Sequence, residues 1–313
     1  MGAAANMPRL YGLLVSHKGK TVLERYFNGS GPDRIVNVKS VSKSVISALV
    51  GIALEQGHIK GTEQTIADYF GDRLGDVEHP KRAITIRNLL TMQAGLASTS
   101  SRNYGAWVQS KDWISYALKQ PLQAPPGTLM QYSTGNTHLL SAIVTQSTGM
   151  DTLQYAREVL ADPLGFHLAA WPRDPQGIYF GGNDMEMTAR QMLAFGLLYL
   201  NGGRSNGKQI IAADWVKTSL QRHAESTREQ GRYYGYGWWI HEMAGFETQY
   251  AWGYGGQFII LVPALDLVVV TTSSSNPDPE RRSHRRSLDD LIETHIISVV
   301  TAHLKPDQVW QNP

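Results

Sequence analysis

Ser40-Val41-Ser42-Lys43 sets a hydroxyl and an amine three residues apart, where Val41, Val45, Leu49 and Ile52 begin to recur at helical spacing. On a helix, positions i and i+3 share a face with Cβ atoms about 5–6 Å apart, so the Lys43 amine can fold back onto Ser40 Oγ. A serine hydroxyl is a poor nucleophile until a base takes its proton. Lysine is such a base only when neutral, and burial together with the positive end of a helix disfavours its ammonium. The same helix end offers the Ser40 amide N–H to a developing oxyanion. The spacing alone is cheap: it recurs in Ser205-Asn206-Gly207-Lys208, a Gly-rich loop where nothing holds the amine beside the hydroxyl. The plainer reading of the first copy is a serine that caps a helix and a lysine in solvent.

Two further segments bear on that choice. Tyr132, in Gln131-Tyr132-Ser133-Thr134-Gly135 after Pro125-Pro126-Gly127, lies on a tight loop before a helix. Its phenol could share proton work with the amine, as tyrosinate base or as leaving-group acid; the plainer reading is a packed aromatic with a wet hydroxyl. Gly253-Tyr254-Gly255-Gly256-Gln257 leads into an apolar strand. Glycines there permit close backbone approach, and the Gln257 N–H could complete an oxyanion hole; the plainer reading is a bulge or tight bend.

Much other chemistry is excluded. There is no G-x-S-x-G elbow and no P-loop; His241-Glu242 lacks the second histidine of a zincin, and the 253–256 glycines are too compact for a dinucleotide fingerprint. The absence of cysteine removes thiol nucleophiles, disulfides and thiolate metal sites, and leaves the compartment open. None of the 10 histidines has a partner at metal-ligand spacing, so neither metal nor cofactor is implied. With 29 Lys and Arg against 27 Asp and Glu, the charge balance argues for no nucleic-acid partner. Apolar runs are interrupted well short of the roughly 18–20 residues of a membrane span. The start, Met1-Gly2-Ala3-Ala4-Ala5, shows no basic segment followed by an apolar one, which leaves periplasmic or cytoplasmic residence open.

These candidates need elements to hold them. Tyr11–Val15 and Thr21–Phe27 flank a polar turn and predict a hairpin. Ser40–Gln56 predicts a helix, with Gly57 where a C′ residue belongs. Residues 60–225 alternate helical stretches (84–92, 111–119, 136–147, 189–200) with Gly/Pro loops. Strand-like runs then return at 237–241, 250–252, 257–262 and 267–272, before a tail helix from Pro279 to about Leu304. Strands at both ends imply one antiparallel sheet flanked by helices, an α/β (α+β) domain of residues 1–60 and 226–313. A mostly helical domain of residues 61–225 is inserted into it, with the site in the cleft between the two.

In this order, Ser40-Val41-Ser42-Lys43-Ser44, the 84–92 helix, Pro126-Gly127-Thr128 with Tyr132-Ser133, Gly181-Gly182-Asn183-Asp184-Met185 and Gly255-Gly256-Gln257 resemble the serine β-lactamase/penicillin-binding-protein superfamily. The likeness is to its class C-like branch of family VIII carboxylesterases and nylon-oligomer hydrolases, and runs from about Tyr11 to Asn276. It implies the β-lactamase/transpeptidase fold, Ser40 as acylated nucleophile, Lys43 as its base, Tyr132 as the motif tyrosine, and the Ser40 and Gln257 amides as oxyanion hole. Two departures stand out. Thr134 replaces the usual Asn of the tyrosine motif, and Tyr254-Gly255-Gly256 stands where penicillin-recognising members carry Lys-Thr-Gly or His-x-Gly. Loss of that cation, a contact worth about 1.5–3 kcal/mol, points to esters or uncharged amides held by aromatic walls. Tyr104, Trp107, Trp239, Trp252 and Tyr254 are candidates for those walls, with Thr134 beside them. The alternatives are a β-lactamase or D-amino-acid peptidase on the same fold, or a non-catalytic binding protein; either monomer or homodimer is open. Arg281, Arg282, Arg285 and Arg286 predict a solvated helix face.

Overall fold

The computed structural model describes residues 2–75 and 79–302. Its first hairpin follows from local chemistry: β1 (Leu10–His17) and β2 (Lys20–Tyr26) pair across Lys18 and Gly19, both left-handed (φ 51° and 73°), as a two-residue turn with matching twist requires. The remaining strands of the main sheet come late in the chain. They are β3 (Ala224–Glu225), β4 (Tyr233–Tyr234), β5 (Trp239–Met243), β6 (Phe246–Gly253), β7 (Gln257–Val262) and β8 (Leu267–Ser273). The order is β2-β1-β8-β7-β6-β5-β4-β3, antiparallel throughout, and the β1–β8 ladder (Leu14↔Val270, Leu10↔Ser273) joins the two ends of the chain as the sequence implied.

Every residue of β7 and β8 is buried, because both faces of the sheet are covered, and both strands accordingly read as unbroken apolar runs. Side chains alternate between two cores. Leu14, Ala251, Ile259, Leu261, Val268 and Val270 share one core with helices α1 (Ser42–Glu55), α2 (Thr134–Thr148) and α3 (Ala189–Leu200); α3 lies on the strands, and α2 packs against α1. Leu13, Tyr250, Phe258, Ile260 and Val269 face α4 (Arg281–Ile292) through Leu288, Leu291 and Ile292.

α1 ends as its sequence predicts. Gly57 is left-handed (φ 77°), its N–H donates to Leu54 O, and the His58 N–H donates to Ala53 O, closing a Schellman motif. Two of the four middle helices are shorter than the periodicity suggests, while Thr134–Thr148 slightly exceeds and Ala189–Leu200 matches its predicted span. Ile86–Leu90 starts at the Thr85/Asn88 capping box and stops before Met92, which turns left-handed (φ 60°); Trp113–Lys119 starts at an Asp112 cap. The tail is helical through Ala302, and its expected end at Leu304 lies outside the described residues. α3 departs from the predicted 61–225 block. It lies on the sheet, where a Cβ on Gly196 would stand 2.7 Å from Ile259 Cγ2 and 2.8 Å from Val268 Cγ1. Helical period identifies a buried stripe without naming what buries it.

Candidate active site

Ser40 sits in a 3-10 turn (Lys39–Val41) that enters α1, between Lys39 in a left-handed conformation (φ 53°) and Ser42, whose hydroxyl donates to Lys39 O at 2.5 Å. One helical turn on, Lys43 is fully buried. Its Nζ lies 3.1 Å from Ser40 Oγ, donates to the Gly182 carbonyl at 2.5 Å, and stands 5.0 Å from the centroid of the Tyr132 ring. Burial holds the amine down to about 7, against the pull of the Asp184 carboxylate. The solvated-lysine alternative is therefore excluded. The second Ser-x-x-K is a surface feature: Ser205 and Lys208 face each other across a two-residue hairpin, with Lys208 exposed.

Tyr132 is strapped in place by the segment after the Ile86–Leu90 helix. Gln131 N–H donates to Met92 O, Ser98 Oγ donates to Tyr132 O at 2.7 Å, and Thr99 N–H donates to Ser133 Oγ at 3.1 Å. Hydroxyls from the same segment satisfy the first amides of α2: Thr134 N–H donates to Ser100 Oγ and Gly135 N–H to Thr99 Oγ1. The Tyr132 ring stacks on Trp239 (5.5 Å, 22°) and meets Tyr234 edge-on (6.0 Å). Burial pushes its phenol up, while the neighbouring Ser40 side chain pulls it back.

The β6–β7 hairpin forms the opposite side. Tyr254–Gly256 takes the plainer of the two readings, a tight turn between β6 and β7, with Gly255 and Gly256 at φ of 96° and 109°. The strand that reaches the Ser40 turn ends in Ala251-Trp252-Gly253. A Cβ on Gly253 would stand 2.1 Å from Val38 O. The β5–β6 ladder stops at Trp239↔Tyr250, so these three residues pair on the β7 side alone. Gln257 lies opposite Gly253, fully buried, and its side-chain amide exchanges two hydrogen bonds with the backbone of Ser273.

Several aromatic candidates are used differently from the expected wall. Trp107 is a core residue. It is 0% exposed, packs among Trp113, His138 and Phe180, and donates its indole N–H to Trp113 O, which leaves no face for a ligand. Trp239 backs Tyr132. Trp252 and exposed Tyr254 carry the guanidinium groups of Arg285 (5.0 Å) and Arg281 (4.4 Å). The arginine cluster is thus only half a solvated face: Arg282 and Arg286 are exposed, whereas Arg285 also covers Phe258 and is paired with Asp289. Tyr104 does reach the site, accepting at its hydroxyl from Asn183 Nδ2 at 2.7 Å. Thr134 turns its hydroxyl to Ser100 and its methyl towards Gly182.

The segment 182–187 is the part that sequence reasoning left without a role. Beyond the Gly182 carbonyl, Asp184 Oδ1 accepts from Asn37 Nδ2 (2.7 Å) and pairs with Lys39 Nζ (2.9 Å). Gly182 has to be glycine, since a Cβ would meet Thr137 Oγ1 at 2.3 Å and Lys43 Nζ at 3.2 Å. The paired glycines before an acid were the available signal.

An antiparallel sheet flanked by helices, with this serine, lysine and tyrosine beside the end of an inner strand, defines the β-lactamase/transpeptidase class of fold. Residues 7–293 match the Beta-lactamase family, and the chain belongs to it. It is 27% identical over 293 residues to the 6-aminohexanoate-dimer hydrolase of Paenarthrobacter ureafaciens, covering 85% of this chain and 72% of that protein. Among solved structures it resembles EstCE1, described as a hydrolase with promiscuous acyltransferase activity (TM-score 0.73, 19% identity, 93% of this chain and 97% of that one). It also resembles a class C β-lactamase from Rhodobacter sphaeroides (TM-score 0.71, 18% identity, 94% and 96%). No helix among the described residues is long and apolar enough to cross a membrane.

Proposed function

We propose that the protein is a serine hydrolase that cleaves esters or uncharged amides through an acyl-enzyme on Ser40. One observation carries this reading: a buried amine, held near neutrality, 3.1 Å from a serine hydroxyl. The phenol of Tyr132 is raised by burial, so at neutral pH the amine rather than a tyrosinate is the available base. Lys43 takes the Ser40 proton as Oγ attacks the carbonyl. The proton returns to the departing alkoxide or amine through Lys43 and Tyr132. Water, deprotonated in the same way, then attacks the acyl carbonyl, and Ser40 leaves with a proton.

The tetrahedral oxygen would rest on the Ser40 amide and on an amide of the β6–β7 hairpin. The sequence pointed to Gln257; Ala251–Gly253, beyond the last β5 pair, offer the amides that the ladder leaves uncovered. The strand end carries no cation, and Arg285, the charge over Trp252, is already paired with Asp289. Uncharged substrates fit this surroundings best. The names of the relatives, a dimer hydrolase and a hydrolase with acyltransferase activity, agree with chemistry through an acylated intermediate.

The test is turnover of p-nitrophenyl acetate and butyrate, with fluorophosphonate labelling, in wild type and Ser40→Ala. Both signals are expected to vanish in the variant, and either one persisting removes Ser40 as nucleophile. Nitrocefin turnover comparable to ester turnover would transfer the assignment to a β-lactamase.

A further inference from the structure

A second lysine stands beside the nucleophile without a part in the chemistry above. Lys39, immediately before Ser40, is left-handed (φ 53°), and so is Asp184 across from it (φ 59°). Side chains with a Cβ avoid this region, and such conformations persist where surrounding bonds over-determine them. The bonds are present. Lys39 Nζ pairs with Asp184 Oδ1 at 2.9 Å, and Asn37 Nδ2 donates to the same oxygen at 2.7 Å. The Lys39 amide donates to Asn37 Oδ1 at 2.9 Å, and Val38 N–H to Met185 O at 2.9 Å. Two side chains, each only 24% exposed, form the ion pair, so solvent screens it incompletely.

Its place matters because the same carboxylate acts on Lys43, whose amine donates to the Gly182 carbonyl two residues before it. The titratable groups around Lys43 are Asp184 from the 182–187 segment and Tyr132 from the loop before α2; Lys39, from its own turn, is linked to it through Asp184. Tyr104, from the helix Tyr104–Val108, is tied to that segment through Asn183. Asp184 is the acid whose charge favours the ammonium form of Lys43, the form that cannot take the serine proton.

We infer that Lys39 is a positioning residue for the base: by engaging Asp184 in an ion pair, it keeps that carboxylate from holding a proton on Lys43. This rests on the reading of Ser40 and Lys43 as the catalytic pair. Removing the Lys39 charge leaves the Asp184 carboxylate without its partner, and that unpaired charge favours the ammonium of Lys43. Removing the Asp184 charge acts in the opposite sense.

The experiment is kcat/KM for p-nitrophenyl butyrate, together with the rate of fluorophosphonate labelling of Ser40, from about pH 5 to 10. The proteins are wild type, Lys39→Met, Lys39→Arg and Asp184→Asn, with thermal midpoints measured alongside. In Lys39→Met the acid limb of both profiles is expected to move up by about one pH unit. That is about a tenfold loss on the acid side, which closes at high pH. Lys39→Arg is expected to restore the wild-type limb, and Asp184→Asn to move it down. A Lys39→Met loss equal at every pH, or an unmoved limb, overturns the inference. Should Lys39→Met not fold, an Asp184→Asn limb that fails to move down overturns it instead. Ser40→Ala separates the two levels: if it keeps turnover, the hydrolase reading falls, whereas if it is dead while the Lys39→Met limb stays put, only this inference falls.

Discussion

A lysine enclosed in protein is an expense that only function explains, and Lys43 shows it in its pH dependence. Its amine sits near 7 in the fold and near 10.4 when unfolded. Below both values each state carries the charge, and the fold bears the whole cost of burying it. Between them the unfolded chain binds the extra proton, so stability rises with pH; above both the cost is gone. At 1.36 kcal/mol per pKa unit, the gap amounts to at most about 4–5 kcal/mol. Lys43→Met, which keeps an unbranched chain of similar length, is therefore expected to be inactive yet more stable than wild type at pH 7. Its advantage in denaturant unfolding should shrink as pH approaches about 10. A stability difference that stays flat across that range would mean the amine is not paying this cost. The Ser40–Lys43 pair was legible in the sequence because both partners lie within one turn, where spacing alone fixes the geometry. Gly182 and Asp184, as important to the amine, stand about 140 positions away, and no local pattern connects them to it.

At the scale of elements, helical and strand periods told which residues are buried and left open against what. An aromatic near a loop is equally consistent with a cleft wall and with the core, and the Trp107 indole faces the core. Gly255 and Gly256 left a close backbone approach and a tight bend both open, and two successive positive φ values make them the turn. α3 was assigned to the helical block, and it belongs to the sheet. Gly196 is what brings it there, and the consequence is measurable. In a helix interior Ala is ordinarily favoured over Gly by about 0.8–1 kcal/mol. Here the new methyl would press on Ile259 and Val268, both fully buried in inner strands, and such overpacking costs about 1–3 kcal/mol. Gly196→Ala is accordingly expected to lower the urea midpoint, with a net loss of about 1 kcal/mol. An unchanged or higher midpoint would show that α3 rides farther from the sheet than these distances allow.

For the molecule as a whole, one ladder decides the architecture. β8 pairs with β1, so the first and last strands lie side by side within the sheet, and the chain between must leave it and return. That much followed from strand patterns at both ends of the sequence. The consequence for chemistry is that the proposed site is assembled from distant pieces: the entry to α1, the loop before α2, the 182–187 segment and the end of β6. Charge is unevenly settled among them. Asp184 is occupied by Lys39, Arg285 by Asp289, and the β6 end contributes alanine, tryptophan and glycine. A substrate carboxylate placed beside the scissile bond would therefore lose hydration and meet no unpaired cation from these elements. A charge-assisted contact of that kind is worth about 1.5–3 kcal/mol, roughly a ten- to hundredfold factor. Between a neutral ester and its counterpart bearing a carboxylate at that position, kcat/KM is expected to favour the neutral one by at least about tenfold. Raising the salt concentration should barely change the ratio, because the discrimination comes from a contact not made rather than from long-range repulsion. Parity between the two substrates would show that one of the arginines over Trp252 and Tyr254 leaves its ring to bind the anion, and would bring the site back towards the penicillin-recognising members of the family.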